Sequence, residues 1–120
     1  MTLISYPATP SVIGVASSLG VQSQSVKVAF DRAVRARIVG AIPPPTGPAQ
    51  FMELAPDASL PSLPALRQLL IELARRSCEL SRQGRPFAVI GGDHACAIGT
   101  WSGVLNGFRP GERLGLIWLD

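Results

Sequence analysis

The residues with the clearest chemical potential are an aspartate and the only histidine of the chain, Asp93 and His94. They follow two glycines, Gly91 and Gly92, at the end of a short apolar run of strand type that begins at Phe87. Imidazole and carboxylate groups bind divalent ions such as Mn²⁺, Zn²⁺ or Fe²⁺, and an excess of carboxylate favours manganese. The pattern predicts a strand, a tight turn and a helix, with metal-binding groups at the turn.

A second acidic residue stands in a comparable position. Asp120 closes the apolar segment 114–119, which we predict to be another strand of the same sense. Because ligands bind at the carboxyl ends of the strands in open α/β sheets, we expect His94 and Asp120 to face one crevice. Two protein ligands do not make a hydrolytic metal centre, which usually has at least three.

Each of these residues also has a purely structural interpretation. His94 could form a hydrogen bond at the turn, and Asp93 could cap the following helix, which we favour over direct metal ligation. Asp120 could be an exposed chain end. The glycines match neither a dinucleotide fingerprint nor a Walker loop, and the chain has no Gly-x-Ser-x-Gly nucleophile elbow.

The elements that would position these residues begin with a buried strand at 11–17. A helix from near Val26 and a short strand at 37–42 are predicted to follow it. The Pro-, Ala- and Ser-rich composition of 43–64 predicts a surface loop. The later order of helix, strand, helix and strand favours parallel strands joined by crossover helices.

Two helices are predicted in the second half of the chain. The first runs from Ser62 to about Gln83, ends at Gly84, and places a stripe of leucines on the core: Leu66, Leu69, Leu70, Leu73 and Leu80. The second runs from Ala95 to Asn106 and offers an apolar face made of Ile98, Trp101, Val104 and Leu105. Gly99 and Gly103 would let this helix approach a neighbour closely.

Composition restricts the class of protein. The 120 residues include 47% hydrophobic and 16% charged residues, which describes a globular chain of one domain or part of one. The net charge of +3 comes without a nucleic-acid-binding motif, and no apolar run is long enough to span a membrane. Cys78 and Cys96 lack the spacing of a metal site, so we expect two buried, reduced thiols in a cytoplasmic protein.

The run 89–103, which contains Gly-Gly-Asp-His-Ala-Cys-Ala-Ile-Gly-Thr, resembles the Gly-Gly-Asp-His-Ser motif of the ureohydrolases, the arginase and agmatinase family. Its Ala-Ile-Gly-Thr continuation is more similar to arginases than to agmatinases. Segment 116–120, Leu-Ile-Trp-Leu-Asp, resembles the strand that enters the family's second motif, Asp-Ala-His-x-Asp. Residues 12–20 resemble the family's opening strand more loosely.

This resemblance implies a partial three-layer α/β/α fold with a parallel sheet, as in arginases and deacetylases, with 1–120 as the incomplete amino-terminal part of one domain. It implies that His94 and Asp120 ligate a two-manganese cluster, that Asp93 lies beside it, and that Gly91 and Gly92 shape the loop. The implied reaction is cleavage of a guanidino C–N bond, converting L-arginine to ornithine and urea. Family members are often trimers or hexamers, so a homo-oligomer is expected.

The sequence also departs from the family pattern. Ala95 replaces the serine of the first motif, segment 20–26 lacks the usual Gly-Pro pair, and the sequence stops at Asp120, inside the second motif. We therefore expect the chain to be inactive by itself and assign no further catalytic residue. The alternatives are a metal-free remnant or assembly partner of the same fold, an agmatinase-type substrate, and the related deacetylase class.

Overall fold

A computed structural model describes residues 11–19, 50–91 and 93–117. Its elements are, in chain order, β1 (Ser11–Val15), β2 (Gln50–Leu54), α1 (Ser62–Arg82), β3 (Phe87–Gly91) and α2 (Ala95–Gly107). The three strands form one parallel sheet in the order β2-β1-β3. The predicted α/β class with a parallel sheet is confirmed, whereas the helix near Val26 and the strand at 37–42 lie outside the described residues.

Strand β1 occupies the middle of the sheet. All five of its residues are buried, as expected for a parallel strand covered on both faces. Ile13 is paired with Met52 of β2 on one side and with Val89 of β3 on the other. The hydrophobic pattern of 11–17 therefore predicted this strand correctly, with its end two residues earlier than expected.

Strand β2 corrects the predicted loop at 43–64. Segment 50–54 pairs residue by residue with β1, and the Ala16 N–H donates a hydrogen bond to the Leu54 carbonyl at 2.8 Å. Only three of the five strand residues, Phe51, Met52 and Leu54, are apolar, so the strand signal was weak within the Pro-, Ala- and Ser-rich region. Since a short strand gains its hydrogen bonds from a partner remote in sequence, local composition was a poor guide.

Helix α1 matches its predicted range and period, although Leu66 and Leu70 of the predicted leucine stripe are only half-buried. Its buried residues recur every three or four positions and face the sheet: Ala65, Leu69, Leu73, Ser77 and Leu80. Leu69, Leu73 and Leu80 form the core with Ile13, Val15 and Cys96. Gly84 has a φ of +62° and ends the helix, because its N–H and that of Arg85 donate to the Ser81 and Leu80 carbonyls, each at 3.0 Å.

Helix α2 packs on α1 through glycines. Its buried residues are Cys96, Gly99, Gly103 and Gly107. A Cβ placed at Gly99 would lie 2.8 Å from the Leu70 carbonyl oxygen, and one at Gly103 would overlap that of Ala74. The expected close approach is confirmed, with a helix as the neighbour. The predicted apolar face is wrong in part, since Ile98 and Leu105 are 62% and 63% exposed.

The predicted strand at 114–119 is wrong in its described part. Residues 114–117 carry no strand, and the Ile117 side chain is 85% exposed. An apolar run becomes a strand only when its backbone finds a partner, and this segment does not join the three-stranded sheet. Within the described ranges, no helix is long and apolar enough to cross a membrane.

Candidate functional site

The junction between β3 and α2 carries His94, the central candidate of the sequence. Strand β3 ends at Gly91, and His94 occupies the N-cap position of α2 with φ −63° and ψ −18°. The His94 carbonyl accepts a hydrogen bond from the Ala97 N–H at 3.0 Å, and its side chain is exposed. The imidazole therefore stands at the carboxyl end of a parallel strand, where ligands bind in this class of fold.

Asp93 holds the turn that presents His94. Its Oδ1 accepts a hydrogen bond from the Ala95 N–H at 2.8 Å, and its carbonyl accepts one from the Cys96 N–H at 3.2 Å. A carboxylate at this point also interacts favourably with the positive end of the helix dipole. Asp93 was predicted to be the N-cap residue of this helix, but His94 occupies that position, and the Asp93 carboxylate instead holds the turn through the N–H of Ala95, the first helical residue.

Gly91 brings the strand end and the helix start into contact. A Cβ at Gly91 would lie 2.8 Å from Sγ and 2.9 Å from Cβ of Cys96. Cys96 is buried and belongs to the hydrophobic core. The absence of a side chain at Gly91 thus lets Cys96 pack beneath the turn, while Gly92 lies outside the described residues.

An open groove of about 780 Å³ extends from His94 along β3 and α2. Phe87 and Val89 line its strand side, and Thr100, Trp101 and Val104 line its helix side. The Thr100 hydroxyl is engaged within the helix, where it donates to the Cys96 carbonyl at 2.9 Å. The groove therefore presents an apolar surface with polar groups, Asp93 and His94, at one end.

Two of these residues were not identified as site neighbours from the sequence. Cys96 was predicted only as a buried thiol, and Trp101 only as part of an apolar helix face. Trp101 could have been found from its position, since it lies two helical turns after His94 on the same side of the helix. Sequence reasoning assigned that side to the core, because it predicted the close approach through Gly99 and Gly103 but not that this contact would be the buried face of the helix.

The described residues do not complete a metal site. Among them, no group of three or more His, Cys, Asp or Glu side chains is close enough to hold an ion. Asp120 lies outside the described residues, so its approach to His94 stays a prediction. The imidazole of His94 suits a first-row divalent ion, but one oxygen of Asp93 is already used to cap the helix.

A comparison with models of known protein families shows which family is related to this chain. The model of the arginase family matches residues 9–120, nearly the whole chain. The chain belongs to the arginase family. The resemblance noted in its motifs is thereby confirmed, and the segment that carries Gly91, Asp93 and His94 lies inside the matched region.

Individual arginases agree with this assignment. An arginase of Bacillus caldovelox is 38% identical over 76 residues, which make up 63% of this chain and 24% of that protein. Arginases of Coccidioides posadasii (strain C735) and Coccidioides immitis (strain RS) are each 41% identical over 51 residues, 41% of this chain and 16% of theirs. The matched segments thus span a quarter or less of these relatives. No solved structure matches significantly.

Proposed function

We propose that this chain is the amino-terminal part of a metal-dependent hydrolase that cleaves a guanidino C–N bond, converting L-arginine to ornithine and urea. The observation that supports it best is the exposed imidazole of His94 at the carboxyl end of β3, in a chain of the arginase family. We further propose that His94 and Asp120 bind Mn²⁺ as part of a two-metal site in the complete fold, and that the complete protein is a homo-oligomer.

The role of this part of the chain is to hold one ligand in place. The hydrogen bond from Ala95 to Asp93 fixes the backbone on either side of His94. The contact of Cys96 with Gly91 fixes the turn relative to the sheet. Such support matters because the residues behind a ligand determine its orientation. Divalent ions, when bound, supply Lewis acidity and a nucleophile near neutral pH.

The test is urea release from L-arginine in the presence of Mn²⁺, with agmatine assayed in parallel. We would compare the chain alone with a chimera in which it replaces the matching segment of the Bacillus caldovelox arginase. The chain alone is expected to release no urea, and the chimera to release it only with Mn²⁺. A preference of the chimera for agmatine would contradict the arginine assignment.

The variant His94→Ala in the chimera tests the residue itself. We expect urea release to fall by more than about 100-fold, since the loss of a residue that merely supports a ligand costs about 10- to 100-fold. The matched control is Ser102→Ala, an exposed position on the same helix, which should leave the rate unchanged. Full activity and full manganese content in a folded His94→Ala chimera would refute the proposal.

A second candidate function is that of a metal-free assembly partner of a protein with this fold. Its support is a set of exposed apolar side chains: Ile98 and Leu105 on α2 and Leu116 in the segment after it, which are 62%, 63% and 55% exposed. Within the described part of the chain, β3 also pairs with β1 alone, so its outer edge is open. Both features are typical of surfaces that another chain covers.

Sedimentation equilibrium tests the second candidate. An assembly partner should self-associate or bind the carboxyl-terminal part of the Bacillus caldovelox arginase, and Leu105→Ser should weaken that association. Ile71→Ser, at a 56% exposed position on α1, is the matched control. If the chain stays monomeric and does not bind the arginase fragment, the assembly role is excluded.

A further inference from the structure

A cleft of about 370 Å³ lies where the two helices end, at the edge of the sheet opposite His94. Its walls are formed by the last residue of α1, Arg82, and by the residues that close α2 and lead out of it: Asn106, Gly107, Phe108, Arg109 and Pro110. The cleft shares no residue with the groove at His94, and the 13 residues of α2 separate the two by about 20 Å. A pocket of this size is sufficient for a small ligand.

The parallel course of the helices brings two arginines that are distant in sequence to this cleft. Each helix follows a strand of the parallel sheet, so both run from the carboxyl edge of the sheet to its amino edge. Gly107, the last residue of α2, lies against Ser81 in the last turn of α1. Because Gly107 has no side chain, Arg82 reaches α2, where its Nη2 donates to the Asn106 carbonyl at 3.4 Å. Arg82 and Arg109 thus share one surface.

The positive charge of these two arginines is not neutralised within the described part of the chain. Arg82 contacts only the neutral carbonyl of Asn106, and the Arg109 guanidinium forms neither a hydrogen bond nor an ion pair there. The hydrogen bond from Arg109 to Glu112 comes from the backbone N–H, at 2.7 Å, and Glu79, one turn before Arg82, contacts a different arginine. Among the described residues, no acidic side chain lines the cleft, so the two arginines give its wall a charge of +2.

The cleft differs in this respect from the charged middle of α1. There, Glu72 accepts hydrogen bonds from both Arg75 and Arg76 at 2.8 Å. The turn beside the cleft adds no net charge, since Glu112 is followed by Arg113. Two positive charges that line the same cleft focus an attractive field on an anion.

The helix ends do not prevent an anion from binding. The carbonyls at a helix C-terminus carry partial negative charge, equivalent to about half an elementary charge. At the end of α2, the Asn106 carbonyl already accepts a hydrogen bond from Arg82. At the end of α1, the carbonyls of Leu80 and Ser81 accept hydrogen bonds from the residues that follow the helix. Two full positive charges exceed these partial charges, so the cleft attracts an anion.

We propose that this cleft binds a phosphate monoester that carries an aromatic group. The free oxygens of a monoester accept hydrogen bonds from two guanidinium groups at once, whereas the two oxygens of a carboxylate are best matched by one. A monoester carries nearly two negative charges at neutral pH, which balance those of Arg82 and Arg109. The half-buried ring of Phe108, together with Pro110, provides an apolar wall for the aromatic group.

Phenyl phosphate is the probe that tests the site. Binding to the folded state alone raises the unfolding temperature, so the protein should melt higher in sodium phenyl phosphate than in sodium chloride of equal ionic strength. Benzoate keeps the ring but carries a single charge, and inorganic phosphate keeps the oxygens but has no ring. Both should therefore stabilise the protein less than phenyl phosphate does.

Two variants separate the charged part of the site from its apolar part. Arg109→Gln, at an exposed position after α2, should weaken phenyl phosphate binding at least about tenfold, as expected for the loss of a charge-assisted hydrogen bond. Arg67→Gln, at an exposed position of α1 outside the cleft, is the matched control. Phe108→Leu should remove the advantage of phenyl phosphate over inorganic phosphate and leave the binding of inorganic phosphate unchanged.

Nuclear magnetic resonance of the arginine Nε–Hε groups gives a test that needs no variant. Phenyl phosphate should shift the signals of Arg82 and Arg109 and leave that of Arg67 in place. Equal stabilisation by phenyl phosphate and benzoate, equal stabilisation by phenyl phosphate and inorganic phosphate, or equal loss of binding in Arg67→Gln and Arg109→Gln would overturn the proposal. Because the cleft contains no residue of the His94 turn, the urea assay neither supports nor contradicts this result.

Discussion

The two helices of this protein bury opposite kinds of residue. Helix α1 buries its leucines, with Leu69 5% and Leu73 0% exposed, and turns its charged residues outwards. Helix α2 buries glycines and leaves Ile98 and Leu105 exposed. The buried face of a helix is thus decided by the shape of its neighbour as well as by hydrophobicity, because α2 can meet α1 only where side chains are absent.

Filling the glycine contact should break this arrangement most severely. In Gly103→Val the new side chain would overlap the Ala74 carbonyl and crowd the Ser77 Cβ, and backbone atoms cannot rotate away. We expect a loss of about 3 kcal/mol or more in the free energy of unfolding, measured by urea denaturation. Gly115→Val, where no atom lies within 4 Å, should change it by less than about 0.5 kcal/mol. Equal stability of the two variants would contradict the packing described.

Emptying the core beneath α1 should have the next largest effect. Leu73→Ala removes a fully buried side chain that contacts the sheet and faces Gly99 of α2. We expect destabilisation of about 3 kcal/mol from lost burial and the cavity left behind. Ile71→Ala, at a 56% exposed position, serves as the control and should cost far less. Comparable thermal unfolding midpoints for the two variants would show that Leu73 is not on the buried side of α1.

Removing the cap of α2 should have an intermediate effect. Asp93→Ala deletes the acceptor of the Ala95 N–H and should cost about 1 kcal/mol of stability. Asp93→Asn keeps an oxygen at the same place and should retain most of that stability. In the chimera, the alanine variant should also weaken Mn²⁺ binding, since the turn would no longer hold His94. Unchanged manganese content would mean that Asp93 acts on the helix alone.

The smallest effect concerns the charged side of α1. Hydrogen bonds from Arg75, and then Arg76, lower the pKa of Glu72 to about 2 from its ordinary 4.5. The ionised form therefore stabilises the folded state, fully above pH 4.5, and this contribution disappears as the pH falls towards 2.

The Glu72 and Arg75 side chains are 36% and 53% exposed, so solvent screening keeps the effect small. We expect Glu72→Gln to lower stability at pH 7 by less than about 1 kcal/mol and to flatten its dependence on pH between 4.5 and 2. Arg75→Gln should have the same two effects on stability and on its pH dependence, each to a smaller extent. Urea denaturation across this pH range measures it, and an unaltered slope in Glu72→Gln would rule the ion pair out.

Local patterns in the sequence were sufficient wherever an element depends on its own residues. The helical period of α1, its end at Gly84 and the strand before Gly91 were predicted correctly, whereas the N-cap position of α2 belongs to His94 and not to Asp93. Strand β2 and the absence of a strand at 114–117 were not predicted, because pairing depends on a partner elsewhere in the chain. The candidate site was predicted in part: His94 lies at a strand end, while its proximity to Asp120 stays a prediction.

By itself, the sequence determined that this chain is an α/β protein of the arginase family, and it predicts that the chemistry centres on His94. Periodicity and turn residues act over a few positions, so they can be read along the chain. Only the tertiary structure decided which side of α2 is buried, that Cys96 packs beneath Gly91, and that Arg82 and Arg109 line one cleft. Those outcomes depend on distances between residues remote in sequence, which are fixed when the sheet and helices pack together.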